Sequence, residues 1–266
     1  METNFIQYQT SKIFYKTTGQ GMPVIFVHGF AEDGNIWKQQ IDSLKDHYRL
    51  IVLDLPGSGK SDFLSNANIE IFAEIIKTII DKESKDEKVV LFGHSMGGYI
   101  TLSLAEKYPE LLKAFGLIHS SAFADSDEKK LARKKSIDFI RANGAASFLK
   151  TAIPGLFTEQ FNKYHKELVE ALIEEGKNFT DASLIQYYEA MIERPDRIAV
   201  LQKVNFPVLF VIGEFDQAVP LQASLQQCHI PKISVVSIFK DSAHMSMMEE
   251  TEKLNLQLTD FLTTIS

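Results

Sequence analysis

The chain has one cysteine, Cys228, in 266 residues. No intramolecular disulfide can form, which suits a reducing compartment, and Cys228 itself reads as a small, partly buried side chain on a helix. Long apolar runs are missing too. The longest aliphatic stretches, such as Val208 to Ile212, fall far short of the ~20 residues that span a bilayer. Basic charge is not in excess: 28 Lys and Arg against 35 Asp and Glu leave a net charge of -7, which argues against a nucleic-acid partner. The opening Met1-Glu2-Thr3-Asn4-Phe5 carries neither a basic n-region nor an apolar h-region, so no secretory signal is expected and a cytoplasmic location is. No repeat or low-complexity linker interrupts the chain, and 45% hydrophobic residues with 24% charged describe an ordinary globular protein.

Periodicity supplies the architecture. Residues 5–17 read as a hairpin that turns near Thr10-Ser11. Short apolar strands are expected at Pro23 to Val27, Leu50 to Leu53, Val89 to Phe92, Phe115 to Ile118, Val208 to Ile212 and Ser234 to Phe239. Helices are expected at Trp37 to Leu44, from Ile69 with Asn66 or Asn68 as N-cap, at Tyr99 to Lys107, near Leu221 to Cys228 and from Met247 to Leu262. Strands of this kind alternating with helices imply a mostly parallel central sheet with helices on both faces, an α/β fold. The alternation stops at about Ala124 and resumes after Asp196. Residues 1–123 and 196–266 are therefore expected to form the α/β core, and residues 124–195 an inserted helical cap. Following a strand, the insertion should emerge at the sheet edge where ligands bind.

One stretch stands out, Val89-Val90-Leu91-Phe92-Gly93-His94-Ser95-Met96-Gly97-Gly98-Tyr99. It reads as a buried strand, a very tight turn and a helix, with Ser95 at the apex. Glycines two before and two after the serine remove side chains that would collide with strand and helix. The five-residue pattern recurs by chance and gains its weight from the flanking strand and helix. Such a turn exposes the hydroxyl at a helix start, where free N–H groups can hold an oxyanion.

A serine nucleophile needs a base. His244 lies in the loop after the last strand, on the same edge, and is the expected base. His119 also follows a strand, but its loop runs straight into the insertion. His94 is expected to pack against the turn, and His47, His165 and His229 read as solvated or locally bonded imidazoles. The base needs an orienting carboxylate. Asp216, in the loop after 208–212, matches in position and order, with Glu214 and Asp241 as rivals. His28-Gly29-Phe30 follows an early strand, and the N–H of Phe30 is expected to share the oxyanion with that of Met96.

The order Ser95, Asp216, His244, the elbow Gly93-His94-Ser95-Met96-Gly97-Gly98, the early His28-Gly29-Phe30, the segment Asp54 to Ser61 and the acid loop Gly213 to Pro220 together resemble the α/β-hydrolase superfamily. The likeness covers residues ~20–120 and ~196–266 and is specific for fold rather than substrate. It implies a serine hydrolase acting through an acyl-enzyme on Ser95. The expected substrate is a small or medium carboxylic ester, thioester or lactone with an apolar acyl part, and no metal or organic cofactor is implied. A carbon–carbon bond hydrolase sharing these motifs is the alternative, and a ligand receptor retaining the triad is a third possibility. Oligomeric state has no signature in the sequence.

Gly57-Ser58-Gly59-Lys60-Ser61 looks at first like a phosphate loop, but Asp54 stands where that motif needs glycine. The segment is read instead as a tight turn bringing Ser61 and Asp62 near the site. In the insertion, Phe148, Phe157, Phe161, Tyr164, Tyr187, Tyr188 and Met191 are expected mostly in its core, some lining an acyl pocket. The basic run Lys129, Lys130, Arg133, Lys134 and Lys135 reads as a solvated helix face, with a dock for an acidic substrate as the alternative.

Overall fold

The hairpin and the six short apolar runs assemble into one eight-stranded sheet in a computed structural model that describes residues 1–85 and 87–265. The strands are β1 (Glu2–Tyr8), β2 (Ser11–Thr18), β3 (Pro23–Val27), β4 (Arg49–Leu53), β5 (Val89–His94), β6 (Leu112–Ile118), β7 (Val208–Gly213) and β8 (Ser234–Phe239). They lie in the order β1-β2-β4-β3-β5-β6-β7-β8. The β1/β2 and β2/β4 pairs are antiparallel, and every pair from β4 to β8 is parallel. All residues of β3, β5 and β7 are buried, as strands covered on both faces must be. The edge strand β8 departs from that expectation. Only one of its faces meets the core, so Val236 and Ile238 are exposed while Phe239 is buried.

The helices are α1 (Lys38–Leu44), α2 (Ile69–Glu83), α3 (Met96–Lys107), α4 (Asp127–Asn143), α5 (Ala145–Ala152), α6 (Glu159–Tyr164), α7 (Lys166–Gly176), α8 (Asp181–Glu193), α9 (Ile198–Lys203), α10 (Leu221–Gln227), α11 (Ser246–Glu249) and α12 (Thr251–Ile265). Helix α2 starts where Asn68 caps it, its side chain accepting from the N–H of Ile71. Its apolar stripe, Ile69, Phe72, Ala73, Ile76 and Ile79, is buried, each large side chain contributing about 1.5–3 kcal/mol. Helix α3 begins at Met96, three residues before the apolar run suggested, because the turn at Ser95 leads directly into it.

Helices α4 to α9 lie between β6 and β7, and α4 to α8 make up the segment from Asp127 to Glu193. A buried ion pair closes the base of this segment. Arg194 Nη2, at its exit, donates to Asp125 Oδ1 at 2.9 Å and to Phe123 O at 3.1 Å, at its entry. Among the described residues no helix is long and apolar enough to cross a membrane.

Candidate active site

The elbow has the geometry its glycines suggest. Ser95 sits at φ 50°, ψ -114°, a conformation that costs a non-glycine residue roughly 1–3 kcal/mol. Two close approaches hold it there. A Cβ on Gly93 would lie 2.4 Å from Gly97 O, and one on Gly97 would lie 2.4 Å from Val27 O. Met96 opens α3, so its N–H has no intrahelical partner. The early glycine turn lies against the serine, since a Cβ on Gly29 would come within 3.1 Å of Ser95 Cβ. Among the described residues the next N–H, that of Phe30, donates no hydrogen bond in the turn.

Asp216 follows β7 and His244 follows β8, and the structure joins them. His244 Nδ1 donates to Asp216 Oδ2 at 2.8 Å, both side chains being almost fully buried. The other carboxylate oxygen, Oδ1, accepts the N–H groups of Ala218 and Val219, each at 2.8 Å. Burial pushes the Asp216 carboxyl up, but the facing His244 and His119 outweigh it and hold the group far below the usual carboxylate range. The rivals Glu214 and Asp241 are exposed. Glu249 holds the loop of His244 in place by accepting the N–H groups of Ala243 at 2.9 Å and Met245 at 3.2 Å.

Ser95 and His244 line one cavity of about 340 Å³, together with Phe30, Tyr99, Leu156, Tyr188, Met191 and Val219. Asp216 occupies His244 Nδ1, which leaves Nε2 for a partner in the cavity. No hydrogen bond joins the Ser95 hydroxyl to Nε2 among the described residues; such contacts commonly tighten only with substrate in place. A larger cleft of about 530 Å³ runs alongside and shares Glu32, but neither Ser95 nor His244 lines it. The chemistry therefore belongs to the smaller cavity.

Two histidines do more than their sequence positions suggested. His119 Nδ1 approaches the same Asp216 oxygen at 3.3 Å while its Nε2 meets Ser246 Oγ at 2.7 Å. Burial drives its pKa down to about 4, so it is a neutral brace on the carboxylate. His94 does not simply pack against the turn. Its Nδ1 meets Glu32 Oε2 at 2.9 Å and its Nε2 donates to His244 O at 3.0 Å. Glu32 Oε2 also accepts the Gly29 N–H at 2.7 Å. One buried chain of contacts thus runs from the glycine turn to the backbone of His244. Glu32 belongs to no motif, and the sequence carried no signal for it. His119, Asp216 and His244 bring three ligand-type atoms within 4.8 Å of one another, and both histidine Nδ1 atoms are already turned onto the one carboxylate. His47, His165 and His229 are exposed.

Other expectations need correction. Ser61 and Asp62 do not reach the site. Ser61 Oγ accepts the Phe14 N–H at 2.8 Å and Asp62 Oδ2 that of Lys12 at 2.9 Å, which lashes the loop to β2. Asp54 accepts the N–H groups of Gly34 and Lys60, each at 2.9 Å, so a carboxylate already fills the place a phosphate would take. His28 faces this loop, its Nε2 accepting the Leu55 N–H at 2.9 Å. The basic run divides. Lys134 and Lys135 are exposed, whereas Lys129 and Arg133, one helical turn apart, line the cavity. Of the aromatic residues in the insertion, Tyr188 lines the cavity and stacks on Phe30 at 4.3 Å, and Tyr164 is exposed.

Comparison with known proteins places the chain in a family. The family model of the alpha/beta hydrolase fold matches residues 22–251. A pimeloyl-[acyl-carrier protein] methyl ester esterase from Vibrio cholerae is 25% identical over 260 residues, 96% of this chain and 99% of that protein. A 3-oxoadipate enol-lactonase from Acinetobacter baylyi is 24% identical over 245 residues, 91% of this chain and 89% of that protein. The structure of a thermophilic esterase from Thermogutta terrifontis, malate bound, superposes with a TM-score of 0.92 at 28% identity, covering 100% of this chain and 99% of that one. The chain belongs to the alpha/beta hydrolase fold family and is a hydrolase of that fold.

Proposed function

We propose that this protein is a serine hydrolase that cleaves a small or medium carboxylic ester, thioester or lactone through an acyl-enzyme on Ser95. The observation that carries the reading is the His244 Nδ1 to Asp216 Oδ2 hydrogen bond beside a cavity that His244 shares with a serine at φ 50°. In this mechanism His244 Nε2 takes the Ser95 proton as Oγ attacks the substrate carbonyl. Asp216 keeps the proton on Nδ1 and stabilises the imidazolium. The N–H groups of Phe30 and Met96 hold the developing oxyanion, a contact of the kind worth about 2.7–4 kcal/mol of barrier. His244 returns its proton to the leaving alcohol, then activates the water that releases the acid. Residues 1–123 and 196–266 are the core that carries these groups, and residues 124–195 are a cap that supplies Leu156, Tyr188 and Met191 to the cavity wall.

Ser95→Ala tests the reading. Hydrolysis of p-nitrophenyl acetate should fall on the order of 10⁴-fold or more, and a fluorophosphonate should label the parent protein but not the variant. Turnover of the variant at the parent rate would falsify the assignment. Labelling without turnover of any ester, lactone or dienoic ketone would instead favour a ligand receptor.

A further inference from the structure

The wall of the cavity on the α4 side is cationic. Lys129, Arg133 and Arg194 gather round a single buried carboxylate, Asp125, at 3.9, 2.6 and 2.9 Å. It is the only carboxylate paired with any of them among the described residues, so two positive charges remain uncompensated. Both terminal nitrogens of Arg194 are committed, to Asp125, Phe123 O and Met191 O, with its guanidinium 3.7 Å from the centre of the Tyr99 ring. Arg133 is not. Asp125 holds its Nε at 2.6 Å and Tyr188 lies under the guanidinium at 5.6 Å. Its two terminal nitrogens donate to no described residue, although Arg133 lines the cavity. Lys129, half-exposed, lines it too, tethered to Ala218 O at 2.9 Å.

Among the described residues no other carboxylate in the cavity answers this charge. Glu32 is the one carboxylate in the lining among the described residues, and His94 neutralises it. The Tyr99 phenol reports the local field. Burial would push it up, yet Arg194, Lys129 and Arg133 together hold it below its ordinary value. A guanidinium fixed at Nε and set over an aromatic ring, with its fork open, is arranged to receive a planar anion in bidentate fashion. The cavity, about 340 Å³, has the volume of roughly eleven waters at ~30 Å³ each. That is room for a short ester with Leu156, Met191 and Val219 along its spacer.

We propose that the substrate carries a carboxylate at the end remote from the scissile carbonyl, and that Arg133 and Lys129 form the subsite that binds it. The substrate class is thereby a short ester or lactone bearing a free acid. This rests on the serine hydrolase reading for the position of the reacting carbonyl, though not for the binding of the anion.

Monomethyl glutarate and its uncharged isostere, in which the free acid is a carboxamide, form the test pair, with hydrolysis followed by pH-stat. The parent protein should favour the acid by roughly 10- to 100-fold in kcat/KM, mainly through KM, as expected for one hydrogen-bonded charge pair. In Arg133→Met that ratio should collapse to within about threefold. Lys129→Met, on a half-exposed side chain, reads the same ratio where the arginine variant does not fold. Equal kcat/KM for the two esters in the parent, or a ratio unchanged in the variants, overturns the proposal. If neither ester turns over, hydrolysis of p-nitrophenyl acetate tests the hydrolase reading on its own. Titration calorimetry with glutarate then decides the subsite: binding that Arg133→Met abolishes supports it, and binding absent or unchanged overturns it.

Discussion

Replacing Glu32 with glutamine would cut the buried chain of contacts that links the glycine turn to His244. The carboxylate accepts both the Gly29 N–H at 2.7 Å and the His94 ring at 2.9 Å, and side-chain exposure of the pair is 4% and 1%. Removing one partner of such a pair costs about 3–5 kcal/mol. Glutamine keeps the shape and still accepts from Gly29, so the loss should fall near the lower end, about 3 kcal/mol. In a chain this long that lowers Tm by roughly 6–12 °C. The pH dependence carries a definite sign. Burial pushes Glu32 up and His94 down, but their mutual attraction wins in both, leaving Glu32 below 4.5 and His94 above 6.5. The Glu32 contribution is therefore complete above pH 4.5 and lost as pH falls through its folded value. The His94 contribution is complete below pH 6.5 and lost as pH rises through its folded value. The stability gap between parent and variant should be widest between these two values and shrink on either side. Urea denaturation from pH 4 to 9, followed by the fluorescence of the single, buried Trp37, measures it. A gap below about 1 kcal/mol at pH 5.5 would show that no buried ion pair exists there.

Two further substitutions probe the site. Asp216→Asn should lower kcat on the order of 10³- to 10⁴-fold while the fold persists, because the amide oxygen still accepts from Ala218 and Val219 but no longer fixes the His244 tautomer. Steady-state kinetics within tenfold of the parent would remove Asp216 from its role. Gly97→Ala puts a methyl group 2.4 Å from Val27 O and 2.7 Å from His28 O, backbone atoms that cannot swing aside. It should destabilise by about 2 kcal/mol, and a variant as stable as the parent in denaturant would refute the close approach.

The strands and most helices were legible because they obey local rules. The apolar run of β5 ends at a glycine, α2 starts at an asparagine cap, and the apolar stripe of α2 repeats at helical spacing. The glycines around Ser95 were equally readable, since a tight turn between strand and helix leaves no room for a side chain. Helix α3 was misjudged at its start because Met96-Gly97-Gly98 has poor helix propensity, and the packing of α3 on β3 and β5 overrides it. The turn of Ser58 to Asp62 was misplaced because both sequence neighbours and distant strands could have satisfied its hydroxyl and carboxylate, and β2 did.

Local order along the chain was enough to determine that this is a mostly parallel α/β protein with a strained serine between a strand and a helix, because backbone geometry and side-chain period act over a few residues. Which groups face one another was decided only when β3, β5, β6, β7 and β8 aligned their ends. That alignment set His119 beside Asp216, Glu32 beside His94, and Lys129 and Arg133 on the cavity wall. Those pairs are separated by up to 97 residues. A hydrogen bond or an ion pair depends on distance in space, and no local pattern records it.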